Sequence, residues 1–128
     1  MEQKNIELVK NYYNAMTNKD LDTMAKCLHE DIHFHGPLAD RNGKDELLEA
    51  SKIFFSMIDG LKLNDSDIFA NADKVMLAYD LHGKEPVGTF RVAALITIKD
   101  DLIFSLELFY DSMPFEKRRQ QIEEENQR

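Results

Sequence analysis

The chain has little of what metal, nucleic-acid or membrane binding requires. Cys27 is the single cysteine in 128 residues, which excludes an internal disulfide and a cysteine-rich zinc site. Its place between Lys26 and Leu28 in a helical run suggests a partly buried thiol. Basic residues are in deficit, 16 Lys and Arg against 24 Asp and Glu, for a formal charge of −8. A surface that binds phosphates needs clustered Lys and Arg, so nucleic acid and anionic membranes are poor partners. The one basic cluster, Lys117-Arg118-Arg119, is mostly offset by Glu123-Glu124-Glu125. No apolar run reaches the roughly 18 residues of a membrane span, and Met1 to Asn5 lacks the apolar core of a signal peptide. The expectation is a soluble, cytoplasmic protein. Internal repeats and low-complexity blocks are absent too.

What remains is ordinary globular composition, 43% hydrophobic and 31% charged, in a length that suits one domain. We expect that domain over residues 1–115 and a charged tail, helical or frayed, over 116–128. Ile6, Val9, Tyr13 and Met16, with Tyr12 beside them, recur at spacings of three and four and predict a helix over about residues 3–17. Asp20 can cap a short second helix with Leu21, Met24, Ala25 and Leu28 on one face, closed by His29-Glu30-Asp31. Ile32 to His35 alternate as a short strand, Gly36-Pro37 ends it, and a polar loop leads to Asn42-Gly43. Asp45 opens a third helix whose stripe includes Leu47, Leu48, Ser51, Phe54, Phe55 and Ile58, with Gly60 where a left-handed cap is wanted. The period then changes to two, predicting strands over 61–69, 75–82, 87–98 and 102–111, with short turns that make neighbours antiparallel.

This is an α+β layout in which a curved antiparallel sheet wraps N-terminal helices. In the last two strands both faces are largely apolar: Phe90, Val92, Ala94, Ile96 and Ile98 oppose Ala93 and Leu95. One face can rest on the helices and a pocket. The other needs cover, and a homodimer packed through the sheet is the simplest.

At this point the chain resembles the nuclear transport factor 2-like superfamily, nearest to its SnoaL-like branch of polyketide cyclases and beside the ketosteroid isomerases. The likeness spans about residues 5–115. It rests on Tyr12-Tyr13 with Asn18-Lys19-Asp20-Leu21-Asp22, on Leu28 to Pro37 leading to Gly43, and on Glu107-Leu108-Phe109-Tyr110-Asp111. It implies a cone-shaped sheet closed by helices around a largely apolar cavity, holding a small, mostly apolar organic ligand without metal or cofactor. In the related isomerases a tyrosine of the first helix donates to an enolate, a strand aspartate moves a proton and a second acid completes the oxyanion site. Tyr12 matches the tyrosine, but Gly36 falls at the base and Ala94 at the second donor. The Asp-Arg-Asp set of the epoxide-hydrolase branch finds only Asp111, with Ala78 at the arginine.

His33 and His35 share a strand face, yet no His-x-x-x-His or Glu-x-x-His pattern supports a metal. The resemblance implies a pocket-mouth histidine at His35. The expected catalytic set is His35 as base or donor, Asp111 as its orienting or acidic partner and Tyr12 as oxyanion donor, for isomerisation, cyclisation or dehydration by proton transfer. Tyr79, Phe54, Phe34, Arg91 and Glu107 are the expected ligand contacts, and Glu107 can instead pair with Arg91. The alternative is a non-catalytic ligand-binding or homodimerisation module on the same fold.

Overall fold

The computed structural model describes residues 2–85, 87–113, 115 and 123–124. Helix α1 (Glu2–Thr17) turns Val9, Tyr12, Tyr13 and Met16 into the core. Asp20 caps α2 (Leu21–Cys27) by accepting from Thr23 N at 3.2 Å and Thr23 Oγ1 at 2.6 Å. Strands β1 (Leu28–His35) and β2 (Asp40–Asn42) precede α3 (Lys44–Phe55), and β3 (Ile58–Asn71), β4 (Lys74–Gly83), β5 (Thr89–Lys99) and β6 (Leu102–Phe109) follow. The six strands form one sheet in the order β2-β1-β6-β5-β4-β3. β1–β2, β3–β4, β4–β5 and β5–β6 pair antiparallel across short connections, while β1 runs parallel to β6 and β2 and β3 form the two edges.

Strand alternation divides the sheet into two faces. Val75, Leu77, Tyr79 and Leu81 of β4 and Val92, Ala94, Ile96 and Ile98 of β5 are buried on the inner face, against a layer in which α1 lies on α2 and β3 while α3 lies on β1. Met76 of β4 and Phe69 of β3, which pair directly across the strands, stay 46% and 67% exposed on the outer face. Register shifts between Leu63 and Ile68 of β3 and between Leu28 and His33 of β1 bend the sheet toward the helices. At the β5–β6 turn Asp100 and Asp101 both have positive φ, the backbone a two-residue hairpin needs for its twist to match the strands. Buried Asn5 ties α1 to the next turn along the sheet, its Nδ2 donating to Ala72 O at 3.2 Å.

Three boundaries differ from the sequence reading. The chain enters β1 at Leu28 rather than continuing α2 to Asp31, because Leu28 is buried opposite Ile103 and the His29 ring packs edge-on to Phe104 of β6. Helix α3 stops at Phe55, short of Ile58. Ile58 is fully buried in β3 opposite Gly83, and Met57 O accepts from Lys84 N at 2.8 Å, so the chain is drawn into the sheet and Gly60 is strand rather than cap. The loop before α3 contains β2, whose three polar residues carry no hydrophobic alternation to betray a strand. The expected tail over 116–128 lies outside the described residues apart from Glu123 and Glu124, which are exposed.

Candidate functional site

The inner face and the helices leave a cavity of about 220 Å³ between them. Its floor follows from strand parity: Phe34 of β1, Tyr79 and Leu81 of β4, Phe90 and Val92 of β5, Leu106 and Leu108 of β6. From α3 come Leu47, Ala50, Ser51 and Phe54, the spacing of one helix face. From α1 come Tyr12, Tyr13 and Met16. Leu38 and Ile53 also line it while remaining 48% and 66% exposed, so the opening lies between the β1–β2 connection and α3.

All four tyrosines of the chain, Tyr12, Tyr13, Tyr79 and Tyr110, line this one space. Tyr13 lies between its neighbours, its ring centroid 5.3 Å from that of Tyr12 and 4.8 Å from that of Tyr79. A second aromatic group closes the wall, with Phe90, Tyr110 and Phe115 mutually 5.4 to 5.8 Å apart. Burial raises the pKa of Tyr12, Tyr13 and Tyr79 well above that of a free phenol, and the neighbouring hydroxyl of Tyr79 adds to the effect on the other two. Tyr110, half-buried, is raised by the same cause. Each hydroxyl therefore keeps its proton at neutral pH and can donate it in a hydrogen bond. Tyr13 Oη is shut away and makes no well-formed hydrogen bond among the described residues, while the adjacent Tyr79 hydroxyl raises its pKa through charge and through hydrogen bonding.

Polar help in the wall is sparse. Ser51 Oγ is occupied, donating to Leu47 O at 2.8 Å. Arg41 of β2 is the cationic lining residue, and no carboxylate or imidazole lines the cavity among the described residues. Cys27 is buried, and desolvation raises its thiol pKa, the opposite of what activates a nucleophile. The described residues contain no group of three or more His, Cys, Asp or Glu placed to hold a metal ion.

The expected site residues are thus divided between two places. Tyr12, Tyr79, Phe34 and Phe54 come together around the cavity. His35 does not join them, because it follows inward-facing Phe34 and so points to the other side of the sheet. There it borders a shallow outer depression with Gly36, Pro37 and Glu107, its register partner on β6. Asp111 is exposed beyond β6, where Oδ1 accepts from Met113 N at 3.0 Å, the turn-capping bond of an Asx side chain. Arg91 is also on the outer face and does not meet Glu107. Its register partner is Asp80, to which Nη1 donates at 3.0 Å, while Nη2 donates to Asp67 at 3.1 Å. Glu107 stands opposite Leu95 instead. His33 is held by Asp40 across β1 and β2, 2.5 Å from Nε2 to Oδ1. Tyr13, Tyr110, Ser51 and Arg41 were not named as site residues from the sequence. Helical and strand periodicity pointed the first three inward, whereas Arg41 gave no such signal.

A bent sheet closed by helices around an inner cavity is the architecture of nuclear transport factor 2-like proteins, and solved structures of that class superpose on it. Residues 9–106 match the SnoaL-like domain, and the chain belongs to that family. It is similar to a protein from Kribbella flavida DSM 17836, 26% identical with a TM-score of 0.82, over 92% of this chain and 95% of that one. A putative polyketide cyclase from Xanthomonas campestris pv. campestris is 20% identical, TM-score 0.77, over 89% and 95% of the two chains. A putative ketosteroid isomerase, also from Kribbella flavida, is 14% identical, TM-score 0.76, over 86% and 79%. Likeness at those last two levels speaks for the fold. No curated protein matches the chain. No helix among the described residues is long and apolar enough to cross a membrane.

Proposed function

We propose that the protein binds a small, mostly apolar organic molecule in the inner cavity, with tyrosine hydroxyls as neutral donors to an oxygen of that ligand. The observation that carries this reading is the gathering of all four tyrosines in one largely hydrocarbon wall. A dry cavity of about 150 Å³ holds a benzene ring, so this somewhat larger one suits one or two fused rings. The inner walls supply most of the binding through apolar area, and the hydroxyls set orientation.

The same donors suit one half of an isomerase, cyclase or dehydratase: they would stabilise a developing oxyanion without reorganising. The proton acceptor is the missing half. With no carboxylate or imidazole among the described lining residues, we assign it to the substrate or to water and put ligand binding ahead of catalysis. The polyketide cyclase and isomerase likenesses keep the catalytic reading in second place.

We further propose that a second copy of the chain covers the outer face in the cytoplasm. Phe69, Met76, Leu95 and Phe109 form its apolar part, flanked by His33, His35 and Glu107 on one side and by Arg91 on the other, a patch that can complement itself about a two-fold axis.

Calorimetric titration with 2-naphthol tests the binding reading. Saturable one-to-one binding is expected, and Ala50→Trp, which fills the cavity from α3, is expected to abolish it while circular dichroism stays unchanged. Binding that survives Ala50→Trp would place the ligand elsewhere. Native mass spectrometry of the freshly purified protein reports the dimer and any retained organic adduct together.

A further inference from the structure

β2 is short, but its register decides where its charge goes. Arg41 pairs with Phe34, whereas Asp40 pairs with His35 and Asn42 with His33. Residues directly opposite each other in an antiparallel pair share a face. Arg41 therefore lies on the cavity side with Phe34, while Asp40 is turned to the outer side.

Three of the four carboxylates near Arg41 have partners of their own, and the fourth, Asp45 in the first turn of α3, makes no ion pair with it. Asp40 holds His33. Glu46 reaches back from α3 to accept from Asn42 N at 2.6 Å. Glu30 pairs with Lys44 at 3.3 Å, which also occupies the other nearby cation. Arg41 itself donates from Nη1 to Asp40 O at 3.0 Å, a bond that steadies the guanidinium without neutralising it. Among the described residues no carboxylate lies in ion-pair range of Arg41. In a chain of charge −8, a half-buried arginine with no counter-ion among the described residues beside an apolar cavity stands out. A guanidinium presents several N–H donors in a planar fork that matches a carboxylate, and it does so more strongly where apolar walls exclude water.

We infer that the ligand is an organic acid: a ring system of one or two rings whose ionised carboxylate meets Arg41 at the cavity mouth while the rings pass inward to the tyrosines. This rests on the binding reading above and adds the ligand's charge and direction of entry. Arg41 is then the specificity-determining residue of the site, selecting anionic over neutral apolar molecules.

The test is calorimetric titration of the full chain with 2-naphthoate and with 2-naphthamide, which share a ring frame and differ in charge. The wild type is expected to bind naphthoate at least tenfold more tightly than the amide, with a preference that shrinks as salt rises. Arg41→Gln should remove the preference and change amide binding less than twofold, and Arg41→Lys should keep part of it. Lys62→Gln, exposed on the outer side opposite Asp80, should leave it intact. Equal binding of both probes by the wild type, or a preference that persists in Arg41→Gln, would overturn the inference and leave the binding reading standing. Failure of the wild type to bind either probe would overturn both. The salt dependence is measured on the wild type alone, so the answer does not depend on the folding of a variant.

Discussion

The two faces of the sheet are built from alternate residues of the same strands, yet they differ in kind. On β4 the inner residues Val75, Leu77, Tyr79 and Leu81 are at most 2% exposed, while Met76, between Val75 and Leu77, is 46% exposed. The inner face is hydrocarbon with hydroxyls buried in it. The outer face holds histidines, carboxylates and the Asp67–Arg91–Asp80 ion pairs around an apolar centre. The His33 and His35 imidazoles and the Glu107 carboxylate are therefore on the side without the enclosed cavity, and the buried tyrosines on the cavity side keep their protons. Apart from Arg41 at its mouth, the described lining of the cavity carries no charged side chain, which is why the site reads first as a binding site.

That division makes the protein sensitive to alkali. Tyr12, Tyr13 and Tyr79 have pKa values raised by burial, against about 10 in an unfolded chain. For a group whose folded pKa is the higher, the contribution to stability is complete below about pH 10 and is lost as pH rises toward the folded value. Absorbance at 295 nm and circular dichroism should therefore show tyrosinate appearing together with global unfolding. A smooth tyrosinate titration at pH 10 with the fold intact would mean that the hydroxyls are wet.

Substitutions grade the two faces. Leu77→Ala, inward and 1% exposed, is expected to cost about 2–5 kcal/mol through lost transfer and the cavity left behind. Leu95→Ala, outward on β5, should cost about 1 kcal/mol or less in the isolated chain, while weakening any dimer. Urea denaturation compares them, and equal losses would contradict the two-face description. Tyr13→Phe removes a buried hydroxyl that makes no well-formed hydrogen bond among the described residues, so stability should hold or rise, by about 1 kcal/mol. A clear loss would reveal a partner in solution. The smallest effect is expected from Arg91→Gln, whose ion pairs with Asp67 and Asp80 are exposed and screened. Its melting temperature should stay close to that of the wild type and converge on it fully at high salt.

Much of the fold was legible because periodicity records which side of an element is buried. The 3.6 period of α1 and the alternation of β4 and β5 each name a face, and Tyr12, Tyr79, Phe34 and Phe54 lie where those periods point. The limits were set by register and by competing signals. β1 carries apolar Ile32 and Phe34 against polar His33 and His35, but the family resemblance drew His35 toward the pocket against that parity. Arg91 and Glu107 are both outward, as their strand positions require, yet which residue faces Arg91 depends on the β4–β5 register, and that places Asp80 across from it. Arg41 was hidden for a similar reason. Three polar residues reveal no face until their pairing with β1 is known, and the charge most telling for the ligand lies in that gap.

The central claim, that the ligand enters the inner face, can be read from the methionine methyl groups. Met16 and Met57 line the cavity, whereas Met76 is exposed on the outer face. With ¹³C-methyl methionine and a titration of 2-naphthol, the resonances of Met16 and Met57 should shift in a saturable way while that of Met76 stays still. Shifts at Met76 without shifts at Met16 and Met57 would put binding on the wrong side of the sheet and contradict the account.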